Sequence, residues 1–473
     1  RRDRKMSCNS DNAHVIAVPY PVQGHVSPMQ QFAKRLVAKG VRVTLVTTRY
    51  LSKTGHFDPI SSITTEIISD GYDEGKAHAK SLKEYLSTFE AVSSRELSEL
   101  IEKFQSSARP VTAIVYDGVL SWILAVAKKF GILAVFFSTQ SCAVNAVYCL
   151  IQRGLLPLPV CSKSILLPGL PLLDDSDVPS FVSETGHDLN PVRRDAMLRQ
   201  FVGFDDADWV VFDTFYELEP ETVDWMTKQW RVVTVGPMVP SMLLDGRLED
   251  DTSYGFNLFT PNTTATMNWL QDKPAASVVY VSFGSIEELG EEQMAELAWG
   301  LKLAAVYFVW VVRATEETKL PANYRSEISE KGVVVNWCSQ LDVLTHKSVG
   351  CFVTHCGFNS IMEAMSLGVP VVAMPQRADQ PTNAKFAVDV WKIGNRPKAD
   401  ETGIVRRDAV AECLREVMET EEGKKMKEHS TKWKEVAKKA VDSGGSSDRH
   451  ICDFVASLVG HHRSMMKPVN AVV

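Results

Sequence analysis

The stretch HVIAVPYPVQGHVSPMQQFAKRLVAKGVRVTLVT, residues 14–47, reads as a strand, a helix and a second strand in succession. Residues 14–18 are a short run rich in Val and Ile, and residues 27–39 carry apolar side chains at helical spacing. Gly40 ends that helix, and residues 41–47 are the next strand. Two strands joined by a helix over this length predict the repeating unit of a parallel α/β sheet.

The same alternation recurs in two series along the chain. The further segments of the first series are residues 111–116, 120–128, 132–137, 209–212 and 232–235. A polar stretch from Asp245 to Thr264 then interrupts the pattern and predicts a linker. The strands of the second series lie at residues 278–282, 306–312, 333–336, 350–353 and 369–373. We therefore expect an α/β protein with two Rossmann-like, doubly wound parallel-sheet domains.

These patterns predict the domain boundaries. We place the first domain at residues 6–244, the linker at 245–264 and the second domain at 265–446, followed by a final helix at 447–463. Ligands of open α/β sheets bind outside the carboxyl ends of the strands. Two such domains therefore predict an interdomain cleft as the ligand site.

The composition of the 473 residues is that of a globular protein, with 45% hydrophobic and 23% charged residues. The 51 Lys and Arg against 58 Asp and Glu give a formal charge of −7, which argues against binding to nucleic acid. The most apolar region, residues 111–137, is interrupted by Asp117, Lys128 and Lys129, so we expect no membrane span.

The nine cysteines are scattered, their number is odd, and no CxxC pair occurs. This usage is typical of a reduced intracellular protein, and we expect a cytoplasmic monomer. The spacing of His346, Cys351, His355 and Cys356 matches no zinc pattern, so we expect no metal site.

The strand at residues 350–353 leads into the sequence His355-Cys-Gly-Phe-Asn-Ser360, which predicts a tight turn followed by a helix. Gly357 lets the backbone bend, and Asn359 and Ser360 open the helix. The start of a helix offers unpaired N–H groups and the positive end of its dipole, so this turn predicts a diphosphate site. The alternative is an ordinary Asn or Ser cap without a ligand.

The neighbours of this turn favour a nucleotide sugar. Trp337 follows a predicted strand, where its ring would stack on a base. Gln340 and Glu363 are suited to ribose hydroxyl groups, because amide and carboxylate oxygens accept hydrogen bonds. The pair Asp379-Gln380 offers the acceptors and donors that vicinal sugar hydroxyl groups require.

These residues resemble the signature box of plant UDP-sugar-dependent secondary-metabolite glycosyltransferases, family 1 of the glycosyltransferases. The box runs from Trp337 to Gln380, and matching segments cover nearly the whole chain. The segments outside the box are residues 21–25, 116–117, 137–140, 215–219, 235–237 and 281–285. The start PYPVQGHVSPM and the opening WCSQL are most similar to the subgroup of carboxylate, terpenoid and steroid glucosyltransferases.

The resemblance implies a GT-B fold in which the second domain holds UDP-glucose, the first holds the acceptor, and the last helix packs back on the first domain. Gln380 at the end of the box implies glucose. No cofactor is implied beyond this donor substrate. The implied contacts are Trp337 and Cys338 to uracil; Gln340 and Glu363 to ribose; Ser285, His355, Asn359 and Ser360 to diphosphate; Thr139, Phe358, Asp379 and Gln380 to the sugar. Gly357 belongs to the same implied UDP-sugar site.

One residue of the box departs from the family. Phe358 stands where the family usually has Trp, which keeps a ring but removes the indole N–H. If the backbone N–H makes the sugar contact, the change is small. If the indole makes it, sugar affinity or sugar choice changes.

His25 lies, in the sequence reading, in the loop between the first strand and the helix starting near residue 27. An imidazole titrates near neutrality and suits the removal of a proton from an acceptor hydroxyl group. Asp117 ends another strand of the same predicted sheet and is suited to hold the imidazole in one tautomer. We therefore predict a general base, His25, with Asp117 as its partner, in an inverting displacement.

The candidate residues for the acceptor are aromatic side chains of the first domain. Aromatic residues of the first domain near predicted loops form either an acceptor pocket or ordinary core: Tyr20, Tyr85, Phe89, Phe137 and Tyr148. We favour a bulky apolar acceptor such as a steroid or triterpenoid, with phenolics as a further class. The alternatives to the enzyme are a non-catalytic carrier of apolar ligands and a nicotinamide-dependent oxidoreductase, and the absence of GxGxxG argues against the latter.

Overall fold

The computed structural model describes residues 13–57, 62–161, 164–184, 190–259 and 262–466. The chain forms two compact units. Unit 1 comprises Arg1–Leu156, Asn190–Leu258 and Lys439–Val473, and unit 2 comprises Pro157–Leu189 and Phe259–Lys438. This division differs from the predicted boundaries mainly at residues 157–189, which belong to unit 2 although they precede the second series of strands.

Among the described residues, the parts of unit 1 that precede residue 259 contain nine strands and seven α-helices. The strands are β1 His14–Val18, β2 Arg42–Thr48, β3 His56–Phe57, β4 Ile63–Ile68, β5 Ala113–Asp117, β6 Leu133–Ser138, β7 Trp209–Phe212, β8 Val232–Thr234 and β9 Phe256–Asn257. The helices are α1 Gln23–Ala38, α2 Arg49–Thr54, α3 Leu82–Gln105, α4 Ile123–Phe130, α5 Cys142–Gln152, α6 Pro191–Arg199 and α7 Pro220–Thr227.

Seven of these strands form one parallel sheet in the order β4-β2-β1-β5-β6-β7-β8. The first strands are added to one side of β1 and the later strands to its other side, so the order of strands reverses between β1 and β5. In the register of the sheet, Val18 is opposite Tyr116, and Asp117 is opposite Phe137. The carboxyl ends of β1, β5 and β6 therefore lie side by side, which is where an α/β sheet binds ligands.

Helix α1 begins at Gln23, four residues before the predicted start, so His25 lies in its first turn and not in a loop. Pro28 explains the difference, because proline is typical of the first turn of a helix but here lies inside one. The inner face of α1 packs on the sheet through Met29, Phe32 and Leu36, which are almost completely buried. This packing fixes the helix that carries His25.

Most of the predicted linker packs on the same helix. Arg35 of α1 pairs with the fully buried carboxylate of Asp245 at 3.0 Å, and Lys34 pairs with Asp251 at 2.7 Å. Burial by itself would raise the pKa of Asp245. The hydrogen bond and the charge of the Arg35 guanidinium oppose this effect, and the pKa lies below its usual value. Residues 245–258 are therefore an ordered part of unit 1.

Unit 2 has a second parallel sheet, in the order β12-β11-β10-β13-β14-β15. Its strands are β10 Val278–Ser282, β11 Tyr307–Val311, β12 Gly332–Val335, β13 Val349–Thr354, β14 Val371–Ala373 and β15 Gly394–Asn395. Its helices are α8 Thr263–Gln271, α9 Glu291–Ala304, α10 Tyr324–Glu327, α11 Gln340–Thr345, α12 Phe358–Leu367, α13 Gln380–Lys385, α14 Arg407–Glu419 and α15 Glu421–Val441. All neighbouring strand pairs are parallel, as the sequence predicts.

The final helix, α16, spans Ser446–Met465 and belongs to unit 1. Phe454 contacts the rings of Phe32 and Trp209 at centroid distances of 5.9 and 5.5 Å. Ile451 and Leu458 are buried in the same core. No helix in the described ranges combines the length and apolarity needed to cross a membrane.

Candidate active site

Two side chains meet at the carboxyl end of the first sheet. Nδ1 of His25, in the first turn of α1, lies 2.6 Å from Oδ2 of Asp117, the last residue of β5. Asp117 is buried, and its other oxygen accepts the backbone N–H of Val119 at 3.1 Å. The His25 side chain is 26% exposed. A buried carboxylate thus holds one ring nitrogen of a histidine that solvent can reach.

The surroundings of this pair are polar on one side and aromatic on the other. Oγ1 of Thr139, in the loop after β6, lies 3.5 Å from Nδ1 of His25. The ring of Tyr20 meets the imidazole edge-on at a centroid distance of 5.7 Å. Burial and then the nearby Asp117 carboxylate raise the pKa of Tyr20 to about 12, so its hydroxyl group stays protonated.

Three of the five predicted pocket aromatics come together beside His25. The ring of Tyr20 stacks on Phe89 at 6.1 Å, and Tyr85 lies 5.8 Å from Phe89. Trp122, which the sequence reading did not single out, lies 6.5 Å from Phe89. Trp122 follows Asp117 by five residues. This short separation from a predicted site residue could have indicated that Trp122 lies near the site.

Tyr85 and Phe89 are themselves buried, and the other two predicted pocket residues are completely so. Phe137 stacks on Phe32 of α1 at 5.5 Å and belongs to the core of unit 1. Tyr148 lies on α5, 6.3 Å from the ring of Phe201. Of the two alternatives for Phe137, pocket or core, the structure favours the core, because its ring lies in the layer between the sheet and α1.

In unit 2, a hydrogen-bonded cluster joins the predicted ribose residues. Nε2 of Gln340 donates to Ser360 Oγ at 3.0 Å and also to a carboxylate oxygen of Glu363. The hydroxyl group of Tyr280 donates to Gln340 Oε1 at 3.4 Å. Ser360 and Glu363 are buried, so the cluster fixes the start of α12 against α11.

The residues predicted to bind the uracil base, Trp337 and Cys338, lie just after strand β12. Trp337 follows β12, is half-buried, and contacts the ring of Phe259 at 4.7 Å. Its carbonyl accepts the N–H of Asn262 at 2.8 Å. The Cys338 thiol is buried beside Tyr280, and burial raises its pKa to about 12, so it stays a neutral thiol.

His355 lies between two glycines. A Cβ on Gly357 would lie 2.5 Å from His355 Nε2, and a Cβ on Gly284 would lie 2.9 Å from His355 Cε1. Gly284 also has a φ of +73°, which other residues adopt at a cost. Burial lowers the pKa of His355 to about 4, so the ring is neutral at physiological pH.

Helix α12 begins directly after Gly357, so the N–H groups of Phe358 and Ser360 lie in its first turn, before the regular bonds of the helix begin. Ser285 lies in the loop after β10, where its carbonyl accepts from Arg313 at 2.8 Å. The arrangement offers backbone N–H groups and neutral donors to an anion.

The pair Asp379 and Gln380 lies at the start of α13. Gln380 Oε1 accepts the backbone N–H groups of Gln376 and Arg377 at 2.8 and 3.0 Å, and its Nε2 donates to Glu287 at 2.8 Å. Asp379 accepts from Asn383 at 2.6 Å. Glu287 also pairs with Arg377 at 2.8 Å.

Glu287 was missed in the sequence reading. It comes two residues after Ser285, so a carboxylate directly after a predicted site segment was the signal. In the part of the chain that the structure describes, no group of three or more His, Cys, Asp or Glu side chains has a geometry that would hold a metal ion.

The chain is similar to known proteins over most of its length. The family model described as UDP-glucoronosyl and UDP-glucosyl transferase matches residues 248–432. Mogroside I-E synthase of Siraitia grosvenorii is 45% identical over 456 residues, which cover 94% of this chain and 98% of that protein. Flavonol 7-O-beta-glucosyltransferase UGT74F1 of Arabidopsis thaliana is 44% identical over 451 residues, with 94% and 98% covered.

A solved structure is similar over the same length. The crystal structure of Os79 from O. sativa in complex with UDP superimposes with a TM-score of 0.89 at 39% identity, covering 94% of this chain and all of that chain. The similarity therefore extends through both units and not only through the residues of the family model.

Proposed function

Since the chain belongs to the UDP-glucoronosyl and UDP-glucosyl transferase family, it is a UDP-glycosyltransferase, and we propose that it moves glucose from UDP-glucose to an apolar small molecule with His25 as general base. The acceptor group is a hydroxyl or a carboxyl group. The product is a β-glucoside, because a single displacement inverts the anomeric carbon of the α-linked donor.

The contact between His25 and Asp117 carries this proposal. With Nδ1–H donated to the buried carboxylate 2.6 Å away, Nε2 keeps its lone pair and accepts the acceptor's proton. The carboxylate also stabilises the imidazolium that forms. General-base assistance of this kind accelerates reactions by about 10²–10⁴-fold.

We assign donor binding to the residues of unit 2. Trp337 stacks on uracil, Gln340 and Glu363 bind the ribose, and Asp379 and Gln380 bind the hexose. The N–H groups at the start of α12 bind the diphosphate together with Ser285 and His355. Because burial keeps His355 neutral, it adds a hydrogen-bond donor without requiring a proton from solution.

The reaction then balances without a further reagent. The acceptor oxygen forms a bond to the anomeric carbon, and the bond from that carbon to the β-phosphate oxygen breaks with its electron pair. The acceptor proton passes to Nε2 of His25. Negative charge grows on the leaving UDP, where the donors at the start of α12 stabilise it.

The acceptor class rests on aromatic surfaces and on relatives. Tyr20, Phe89 and Trp122 form an aromatic group beside His25, which suits an apolar ring system. One similar protein is named as a mogroside synthase and another as a flavonol glucosyltransferase. We propose a bulky apolar alcohol such as a steroid or triterpenoid as the preferred acceptor, with phenolics as a second class.

The experiment that tests this proposal is an incubation with labelled UDP-glucose and a pooled library of steroids, triterpenoids, phenolics and aromatic acids. We expect UDP release in equal amount to glucoside formation, with the β configuration established by NMR. UDP-galactose and UDP-glucuronate serve as competing donors. Binding of library members without turnover would instead indicate a carrier, and preferred use of another donor would overturn the assignment of glucose.

A further inference from the structure

A segment from the first half of the sequence packs against the loop that carries Asp379 and Gln380. Residues 177–180 belong to unit 2 although they lie between α5 and α6 in the chain. The backbone N–H of Ser180 donates to the Ala378 carbonyl at 2.9 Å. In return, the Ala378 N–H donates to Ser180 Oγ at 2.8 Å.

A second set of contacts anchors the same segment to α13. The hydroxyl group of Thr382 donates to the Asp177 carbonyl at 2.7 Å. The Asp177 carboxylate pairs with Lys385 at 3.3 Å and lies 3.9 Å from Arg396. Both Asp177 and Ser180 are almost completely buried, so these contacts are shielded from solvent.

The residue that Ser180 holds has an unusual backbone conformation. Ala378 has a φ of +56°, in the left-handed region that a residue with a Cβ rarely adopts. Such a conformation persists only where the surroundings impose it. Ser180 bonds both the N–H and the C=O of Ala378, which is the constraint that this conformation requires.

Side-chain oxygens satisfy three consecutive N–H groups of this loop. Gln380 Oε1 accepts from Gln376 and Arg377, and Ser180 Oγ accepts from Ala378. Asp379 and Gln380 follow Ala378 directly, so a rotation at Ala378 would turn both side chains. The position of the pair thus depends on a hydroxyl group 198 residues away in the sequence.

We propose that Ser180 is a positioning residue for donor-sugar recognition, acting through Ala378 on Asp379 and Gln380. This inference rests on the proposed function, in which that pair binds the hexose of the donor. In this role Ser180 acts through its two hydrogen bonds to Ala378 and not by contact with the donor. Its effect therefore concerns the sugar of UDP-glucose and not the UDP.

The test compares two ligands by calorimetry on the full chain: UDP and UDP-glucose. In Ser180→Ala the Ala378 N–H loses its acceptor in a buried place, and we expect UDP-glucose to bind about 5- to 30-fold more weakly. UDP should bind within twofold of the wild type. Gln380→Ala removes a proposed sugar contact together with the acceptor of two loop N–H groups, and it should show the same selective weakening.

The matched control is Ser183→Ala. Ser183 is also buried in this segment, but its hydroxyl group donates to the Asp175 carbonyl at 2.6 Å. We expect unchanged affinities for both ligands. A second measurement uses turnover: the preference for UDP-glucose over UDP-galactose should fall in Ser180→Ala.

Two results would overturn the inference. One is an unchanged ratio of UDP-glucose to UDP affinity in Ser180→Ala. The other is an equal loss for both ligands, which would indicate a general role in folding. The binding comparison needs no acceptor. A wild-type protein that binds UDP-glucose but glucosylates nothing would contradict the proposed function. The affinity ratio of Ser180→Ala would still test this inference.

Discussion

Replacing Asp117 by Asn removes both the charge and the hydrogen-bond acceptor that face His25 Nδ1 in the proposed general-base step. Asn has the size of Asp and keeps an oxygen for the Val119 N–H, which Asp117 accepts at 3.1 Å. The change removes the charge that faces His25 Nδ1 at 2.6 Å. Asp117 is buried, so water cannot replace that charge easily.

The expected size of the effect follows from the geometry. When His25 takes up a proton, unit charges about 4 Å apart attract each other by about 4 kcal/mol at an effective dielectric constant near 20. Each 1.4 kcal/mol or so in the barrier changes the rate about tenfold, which gives roughly 10³-fold. Since His25 is 26% exposed, solvent screens part of this attraction. The Asn amide also presents N–H groups to Nδ1 and favours the tautomer in which Nε2 carries the proton, so we expect kcat to fall by at least about 10²–10³-fold.

The assay measures kcat with an alcohol, a phenol and a carboxylic acid as acceptors. The loss should be largest for the alcohol and smallest for the acid, because a carboxylic acid has already lost its proton near neutral pH. UDP affinity should not change. Asp213→Asn is the matched control: Asp213 is also buried in unit 1, and its carboxylate accepts the Met238 N–H at 2.8 Å.

Two outcomes would refute this reasoning. If Asp117→Asn keeps more than about a tenth of the wild-type kcat with the alcohol, the carboxylate does not support a base. If all three acceptors lose the same factor, the residue holds the site together but does not assist proton transfer. His25→Ala gives the reference for complete loss of the base.

Two further predictions concern the donor site and stability. Gly284→Ala places a Cβ 2.9 Å from His355 at a φ of +73°, so we expect UDP affinity measured by calorimetry to fall at least about fivefold. The control is Gly290→Ala, which has no atom within 4 Å of the new Cβ and should leave UDP affinity unchanged. Equal affinities in both variants would contradict the packing argument. Burial lowers the pKa of His14 from 6.5 to about 4. The unfolded chain therefore binds more protons than the folded chain between these pH values. As the pH falls through this range, the free energy of unfolding decreases by up to about 3 kcal/mol. His14→Gln should flatten the dependence of urea unfolding on pH in that window, and an unchanged slope would assign it to other groups.

The family, the fold class and the two parallel sheets could be predicted from the sequence, and the comparisons and the structure confirm them. The strand predicted at residues 278–282 agrees with β10, Val278–Ser282. Buried parallel strands are short apolar runs bounded by polar turns, so the sequence marks them clearly. Gln340, Ser360 and Glu363 come together for a related reason, since they lie on helices that follow two strands of the same sheet.

Contacts between distant segments could not be predicted in the same way. Apolar periodicity indicates that a side chain is buried but not what it is buried against. Phe137 illustrates this limit, because a strand covered on both faces is apolar throughout and its outward positions look like its core positions. The bonds of Glu287 to Gln380, and of Ser180 to Ala378, span 93 and 198 residues and leave no local pattern.

The burial of Phe358 bears on the departure of this chain from its family. Phe358 is the first residue of α12 and only 3% exposed, so its ring lies in the protein interior. An indole in this orientation would need a buried partner for its N–H. The backbone N–H of residue 358, by contrast, is in the first helical turn, where no carbonyl of the helix accepts it. Phe and Trp share that N–H. We therefore infer that a sugar contact from this position is made by the backbone, and that replacement of Trp by Phe leaves the choice of sugar to Asp379 and Gln380.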